Sequence, residues 1–281
     1  MFSFFANVFG YLLNALYNLV QNYGVAIILF SIVVKIIMIP ISINQQKSMK
    51  KSAKLQLKMK ELQDKYSNDP ERLNREVMDL YKKENMSPFS GCLSGIVQIL
   101  LLLSVFYLVR SPLTYMKKVD ANIIQDYTKQ VEEQHGKSSY PEIEIIKQKG
   151  SEDENVRINM DFLGLDLSDV PSQNATDYRV YIIPVLYVIS SFVSMKITTA
   201  MQTKENKKKD VIEIENEKEE KTELDAVAQA NKSMTWFMPI MSISIAIIAP
   251  LGLALYWLVN NVLMTVERLI MNKFIKDEEE A

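Results

Sequence analysis

The 281-residue chain has one cysteine, Cys92, and one histidine, His135. A lone cysteine excludes a disulfide within the chain, and Cys92 at the head of an apolar run reads as a buried thiol. With His135 isolated in a polar loop, no cluster of His, Cys and carboxylates has metal-ligand spacing, and no HExxH, GxSxG or P-loop sequence occurs. Enzyme chemistry therefore has almost no support, and neither a cofactor nor a metal is expected. Eight glycines and nine prolines without a repeat exclude collagen-like, low-complexity and solenoid chains. Charge is also missing over long stretches: residues 1–22 carry none, and Tyr23–Ile43 carries one, Lys35.

What is present is alternation. The chain is 48% hydrophobic with a formal charge of −2, but these averages conceal uncharged blocks separated by densely charged ones. That pattern marks a polytopic membrane protein rather than one globular core. Residues 1–22 lack the basic n-region of a secretory signal. Phe2, Phe5, Phe9, Leu12, Leu13, Leu16 and Val20 recur at helical spacing, with Asn7, Asn14, Asn18 and Gln21 on the other face. This predicts an amphipathic helix in the interface plane, with an extra span as the competing reading.

Five spans are predicted from apolar runs of about 20 residues, the length that crosses ~30 Å of hydrocarbon. They are residues 23–43, 89–109, 180–200, 234–249 and 253–273. The last two share one long run divided at Ala249-Pro250-Leu251-Gly252, where proline and glycine signal a helical hairpin. Between spans two and three an extracellular loop region is expected, residues 110–179. Residues 44–90 carry 11 Lys/Arg against 7 acids, and residues 111–178 carry 7 against 13. The positive-inside rule places the first segment in the cytoplasm and the N-terminus outside. The linker 201–233 and the acidic tail 274–281 then fall in the cytoplasm. No extended basic tail is expected.

The segment 44–88 predicts two antiparallel cytoplasmic helices. Leu55, Met59, Leu62 and Tyr66 line one face, and Leu73, Val77 and Leu80 another, with Asn68-Asp69-Pro70-Glu71 supplying a turn, a cap and a proline at the first helical position. So thin an apolar seam predicts a mobile hairpin. Lys35 is the most informative single residue. A charge deep in a span costs roughly 2.5–3.5 kcal/mol on insertion scales and marks a functional site by default, although a lysine can also snorkel to the headgroups.

Four segments in order carry a resemblance: GVAIILFSIVVKIIMIPISINQQKSMKK (24–51), LYKKENMSPFSGCLSGIVQ (80–98), FLGLDLSD (162–169) and MPIMSISIAIIAPLGLALYWLVNN (238–261). Together they resemble the YidC family of membrane protein insertases in its five-span bacterial form. The resemblance implies an all-α integral membrane protein of the bacterial plasma membrane. Its five transmembrane helices would surround a hydrophilic groove open to the cytoplasm, beside the cytoplasmic helical hairpin. It also implies the groove residues. Lys35 stands where the family has arginine, Gln98 matches the second-span glutamine, Ser194 stands where the third span usually has glutamine, and Trp257 matches the fifth-span tryptophan. Lysine keeps the charge without arginine's planar fork.

The function implied is that of an insertase and chaperone. It would pass short extracellular tails of nascent membrane proteins across the bilayer and release their apolar helices into lipid. Nascent membrane proteins are the implied substrates. The Sec translocon and the ribosome are implied partners, membrane lipid surrounds the spans, and direct nucleic-acid binding is not expected. A transporter or channel using Lys35 as a gating charge is the rival. It would call for inverted repeats or several facing polar residues, and the sequence has no repeat. A passive assembly chaperone stays open beside the insertase reading.

Overall fold

A computed structural model describes residues 2–67, 69–84, 90–210 and 246–280, with the backbone alone over 90–99, 201–210, 272–280 and parts of 49–60. It is mostly helical. The helices are α1 (Phe2–Val20), α2 (Tyr23–Lys65), α3 (Pro70–Lys83), α4 (Ser90–Arg110), α5 (Ala121–His135), α6 (Pro141–Lys149), α7 (Ile182–Asp210) and α8 (Leu251–Glu280). A π-helical turn, Leu113–Lys117, follows α4, and a 3-10 turn, Tyr178–Tyr181, precedes α7. One short antiparallel hairpin, β1 (Asp161–Phe162) with β2 (Leu165–Asp166), departs from the all-helical expectation. Among the described residues three stretches are long and apolar enough to cross a membrane: Tyr23–Ser48, Tyr178–Ala200 and Leu251–Met271. Most of the expected fourth span, residues 234–245, and residues 211–233 of the linker lie outside the described residues.

The chain divides into two compact units, Met1–Ala6 with Val33–Tyr107 and Asn7–Ile32 with Leu108–Ala281. Helix α2 begins in the second and enters the first at Val33, and it does not stop at residue 43. It runs on through Pro40 to Lys65 without a break at the expected junction with the hairpin. At 1.5 Å per residue its 43 residues extend about 65 Å, twice the ~30 Å hydrocarbon thickness of a bilayer. The α3 start follows the local chemistry. Pro70 occupies the first turn, where a missing N–H costs nothing, and the Asp69 carboxylate accepts from the Arg72 amide at 3.0 Å. Lys58 of α2 pairs with Glu84 beyond α3 at 2.6 Å. Leu55 is buried, and Leu62, Leu73, Val77 and Leu80 are half-buried, so the apolar seam is thin.

The second unit contains what the sequence marked only as a loop region. Residues 110–179 fold into a cap with Val131, Ile143, Ile145, Ile146, Val156, Ile158 and Met160 buried. Helix α1 packs here through a stripe of buried residues that includes Leu13 of the expected apolar face, with Phe5, Phe9, Leu12 and Leu16 of that face half-buried beside it. Gly10 and Leu13 are buried, and a Cβ at Gly10 would lie 1.8 Å from the Tyr115 carbonyl oxygen. Its other side leaves Val8, Tyr11 and Leu19 exposed. The elbow between α1 and α2 is clasped by polar backbone contacts. The Tyr17 hydroxyl accepts from the Asn159 amide at 2.8 Å, and the Asn159 side chain donates to Gln21 O at 3.0 Å. The Tyr23 amide donates to Asn159 O at 3.0 Å. Asn22 caps α2, its Oδ1 accepting from Val25 N at 3.1 Å while its Nδ2 donates to Asp161 O at 2.6 Å.

Glu142 on α6 is 6% exposed, and its carboxylate accepts from the amide (2.9 Å) and hydroxyl (2.6 Å) of Thr114 in the π-helical turn. Burial holds its carboxyl above the ordinary value of 4.5, opposed by the Thr114 hydrogen bonds. An acid whose folded pKa exceeds its unfolded one favours the native state only while protonated. Its stabilising influence is therefore full below the unfolded value and disappears as pH rises through the folded one. In Glu142→Gln the amide oxygen can still accept from Thr114 N while its NH2 donates to the hydroxyl. Thermal unfolding of both proteins from pH 4.5 upward should show the variant gaining on the parent as pH rises. A difference independent of pH would show that Glu142 is not the titrating group.

Candidate functional site

Lys35 lies 12 residues into α2, about 18 Å from its first residue. Its neighbours Ile32, Ile36, Ile37, Ile39 and Ile41 are exposed, at up to 63%, and form a side suited to lipid. Lys35 itself lies half-buried on the stripe Ser31, Lys35, Met38, Ser42, which is turned away from that side. Ser31 at its head is buried and spends its hydroxyl on Ile27 O at 2.8 Å. The cation is thus on the polar edge of an otherwise apolar span. Gln98 falls within α4, and its side chain lies outside the described atoms.

Ser194 and Trp257 belong to the two helices that pack most extensively in the described structure, α7 and α8. The Tyr187 and Trp257 rings approach to 6.1 Å. The Asn261 amide donates to Ser191 Oγ at 2.7 Å, and Arg268 donates to Thr198 Oγ1. Each pair is separated by 70 residues, as the two hydrogen bonds show directly. A constant offset means that α7 and α8 run parallel and in register. Residues 187, 191, 194 and 198 step by three or four and form one helical face, so Ser194 lies on the face that meets α8, between the Ser191 and Thr198 contacts. Its carbonyl accepts from Thr198 Oγ1 at 2.8 Å. The opposite side of α7 exposes Val185, Leu186, Ile189 and Val193.

The structure thus brings Ser194 and Trp257 onto one polar seam. Sequence reasoning missed Ser191, Thr198, Asn261 and Arg268 on that seam. The signal was there in polar residues at helical spacing on both helices. Buried in apolar runs, such groups need partners, because each unsatisfied one costs several kcal/mol in hydrocarbon. Which residues partner which is fixed only by the parallel register.

At the head of α8 the backbone supplies a second construction. The amides of Leu251 and Gly252 have no partner within the helix, as at any helix start. They donate to the carbonyls of Asp169 and Leu167, both at 2.9 Å, while the Ser172 amide donates to Ile247 O at 2.9 Å. The break after Ile248 that proline and glycine signalled is therefore closed by main-chain bonds from the segment containing FLGLDLSD. Lys147 holds the same segment through Asp169 at 2.6 Å.

Residues 15–279 match the family described as 60Kd inner membrane protein. Two similar proteins are the membrane protein insertases YidC of Chlorobaculum parvum, 28% identical over 277 residues, and of Chlorobaculum tepidum, 29% identical over 276 residues. Each match covers 95% of this chain and 36% of the relative, so the chain spans about a third of their length. The membrane protein insertase YidC of Fusobacterium nucleatum is 27% identical over 264 residues, 94% of this chain and 93% of that protein.

Proposed function

The chain belongs to the 60Kd inner membrane protein family, and from that premise we propose that it is a membrane protein insertase and chaperone. The observation that carries this reading is Lys35, a cation half-buried on the polar edge of a span whose other side is apolar and exposed. A substrate's extracellular tail must cross hydrocarbon, where bare polar groups are costly. In the proposed mechanism a hydrophilic groove open to the cytoplasm shortens that dry path, and Lys35 attracts acidic residues in the passing tail. Gln98, Ser194 and Trp257 offer further contacts to the tail and the following apolar segment. That segment then leaves sideways into lipid, driven by burial of its apolar surface at roughly 25 cal/mol per Å². The α2–α3 region acts as a cytoplasmic hairpin that captures substrate, alone or beside the Sec translocon and the ribosome.

Five spans with the N-terminus outside complete the proposal. The register of α7 and α8 supports the count. Chain leaving α7 at one end must enter α8 at the other, so the connection between two parallel helices has to cross back. Site-specific photocrosslinkers at Lys35, Gln98, Ser194 and Trp257 should capture a stalled nascent membrane protein more strongly than crosslinkers at Ile36 or Ile189. Capture from those two control sites with none from Lys35, Gln98 or Trp257 would place the substrate on another face.

A further inference from the structure

The tip of the β1–β2 hairpin has an unusual residue. Two residues, Leu163 and Gly164, join the paired Phe162 and Leu165, and both have positive φ, 55° and 78°. Such a turn favours Asn-Gly, and a branched apolar side chain in the left-handed region is disfavoured. Leu163 is nevertheless 88% exposed, so no packing inside the protein offsets that strain.

The hairpin's attachments locate this side chain. The segment from residue 159 to 171 is fastened to the first residues of all three candidate spans. Asn159 and Asp161 bind the α2 start at Tyr23 and Asn22. Leu167 and Asp169 bind Gly252 and Leu251 at the α8 start, and Pro171 O accepts from the Tyr181 hydroxyl just before α7 at 3.4 Å. The hairpin therefore lies at the level where the spans begin. Its direction follows from the order of contacts along α2. Asn159 meets residues spread from Tyr17 through Gln21 to Tyr23, Asp161 meets Asn22, and the Phe162 ring lies furthest along, against Gly24, so close that a Cβ there would sit 2.4 Å from it. The strand thus descends alongside the start of the first span, and Leu163 is the next residue. The Gly164 amide is already satisfied by Asp161 Oδ1 at 3.0 Å, which suits a tip leaving water.

We propose that Leu163 is a membrane anchor, a hairpin tip inserted at the headgroup–acyl boundary of the leaflet where α2, α7 and α8 begin. Its partner is lipid. Insertion explains why an exposed leucine occupies a turn that would accept asparagine more readily. It would set the depth of the cap on the bilayer independently of any substrate.

The test uses the full chain with Cys92→Ser, so that one cysteine is introduced at a time, in vesicles of phosphatidylethanolamine and phosphatidylglycerol. Leu163→Cys is compared with Lys137→Cys, between α5 and α6, and with Ile189→Cys on the exposed side of α7. A charged, membrane-impermeant maleimide should modify Leu163→Cys at least threefold more slowly than Lys137→Cys. A fluorophore at position 163 should be quenched by a nitroxide high on the lipid chain, as at 189 and unlike at 137. Modification as fast as at 137, or quenching no greater than there, overturns the proposal. Leu163→Asn guards against a structural explanation. It should keep the parent's thermal midpoint in detergent, and a clear loss would mean that Leu163 packs within the protein, which also overturns the anchor.

Discussion

Replacing Lys35 by alanine is expected to slow insertion of a substrate with Asp or Glu in its translocated tail. Two opposite charges 4 Å apart attract by about 4 kcal/mol at an effective dielectric constant near 20. Even a third of that, about 1.4 kcal/mol, is roughly tenfold in rate. Lys35→Arg should retain insertion, and Lys35→Glu should fall below Lys35→Ala because repulsion replaces attraction. A substrate with an uncharged tail should respond little to any of the three, which separates the role of charge from that of packing. Proteoliposomes containing purified protein give the measurement directly. If Lys35→Ala inserted acidic-tailed substrates at the parent's rate, the cation would have no part in translocation.

The second large effect concerns stability. Gly10→Ala places a methyl group 1.8 Å from the Tyr115 carbonyl oxygen and 2.6 Å from its carbon, and both are backbone atoms that no rotamer change can move. Overpacking of this kind costs about 1–3 kcal/mol, and the upper end is expected because the obstruction is main chain. Alanine's better helix propensity, worth roughly 1 kcal/mol, offsets only part of it. The thermal midpoint should fall by roughly 5 °C, on a scale of 2–4 °C per kcal/mol for a chain of this size, with α1 becoming more sensitive to protease. Gly252→Ala is the control. Its nearest neighbours would be Leu167 O and the Tyr23 ring at 3.5 Å, an ordinary contact, so its midpoint should hold. Equal losses in both variants would mean that α1 is not closely seated on the π-helical turn.

Both predictions bear on what a sequence makes visible. Lys35 stood out because hydrocarbon penalises charge, and that penalty is local to the residue and its run. The starts of α2, α3 and α8 were legible for the same reason, since apolar runs, Asp69-Pro70 and Ala249-Pro250 each act within a few residues. Gly10 and Gly24 carried no such signal. A missing side chain means something only once its neighbours are known, and Tyr115 and Phe162 are each more than 100 residues away. The cap was hidden differently. Ile143, Ile145 and Ile146 alternate with Glu142 and Glu144 in an acid-rich stretch, so composition reads as solvated loop. Their burial depends on tertiary contacts, and those contacts also desolvate Glu142. The α7–α8 seam was half legible. Ser194 and Trp257 were identified through resemblance, but the Asn261–Ser191 and Arg268–Thr198 pairs required the register.

The bonds at the head of α8 have a mechanical consequence. Two amides of its first turn are tied to Asp169 and Leu167, so that end of the helix is a fixed fulcrum. The helix is 30 residues long, or about 45 Å, and a tilt of about 5° would carry its far end about 4 Å while barely moving Leu251. Any breathing between α8 and its neighbours should therefore grow steadily with distance from the fulcrum. Trp257, six residues along, is nearly stationary in such a motion. Arg268, seventeen residues along, travels almost three times as far, so the Arg268–Thr198 contact would open well before the Tyr187–Trp257 one.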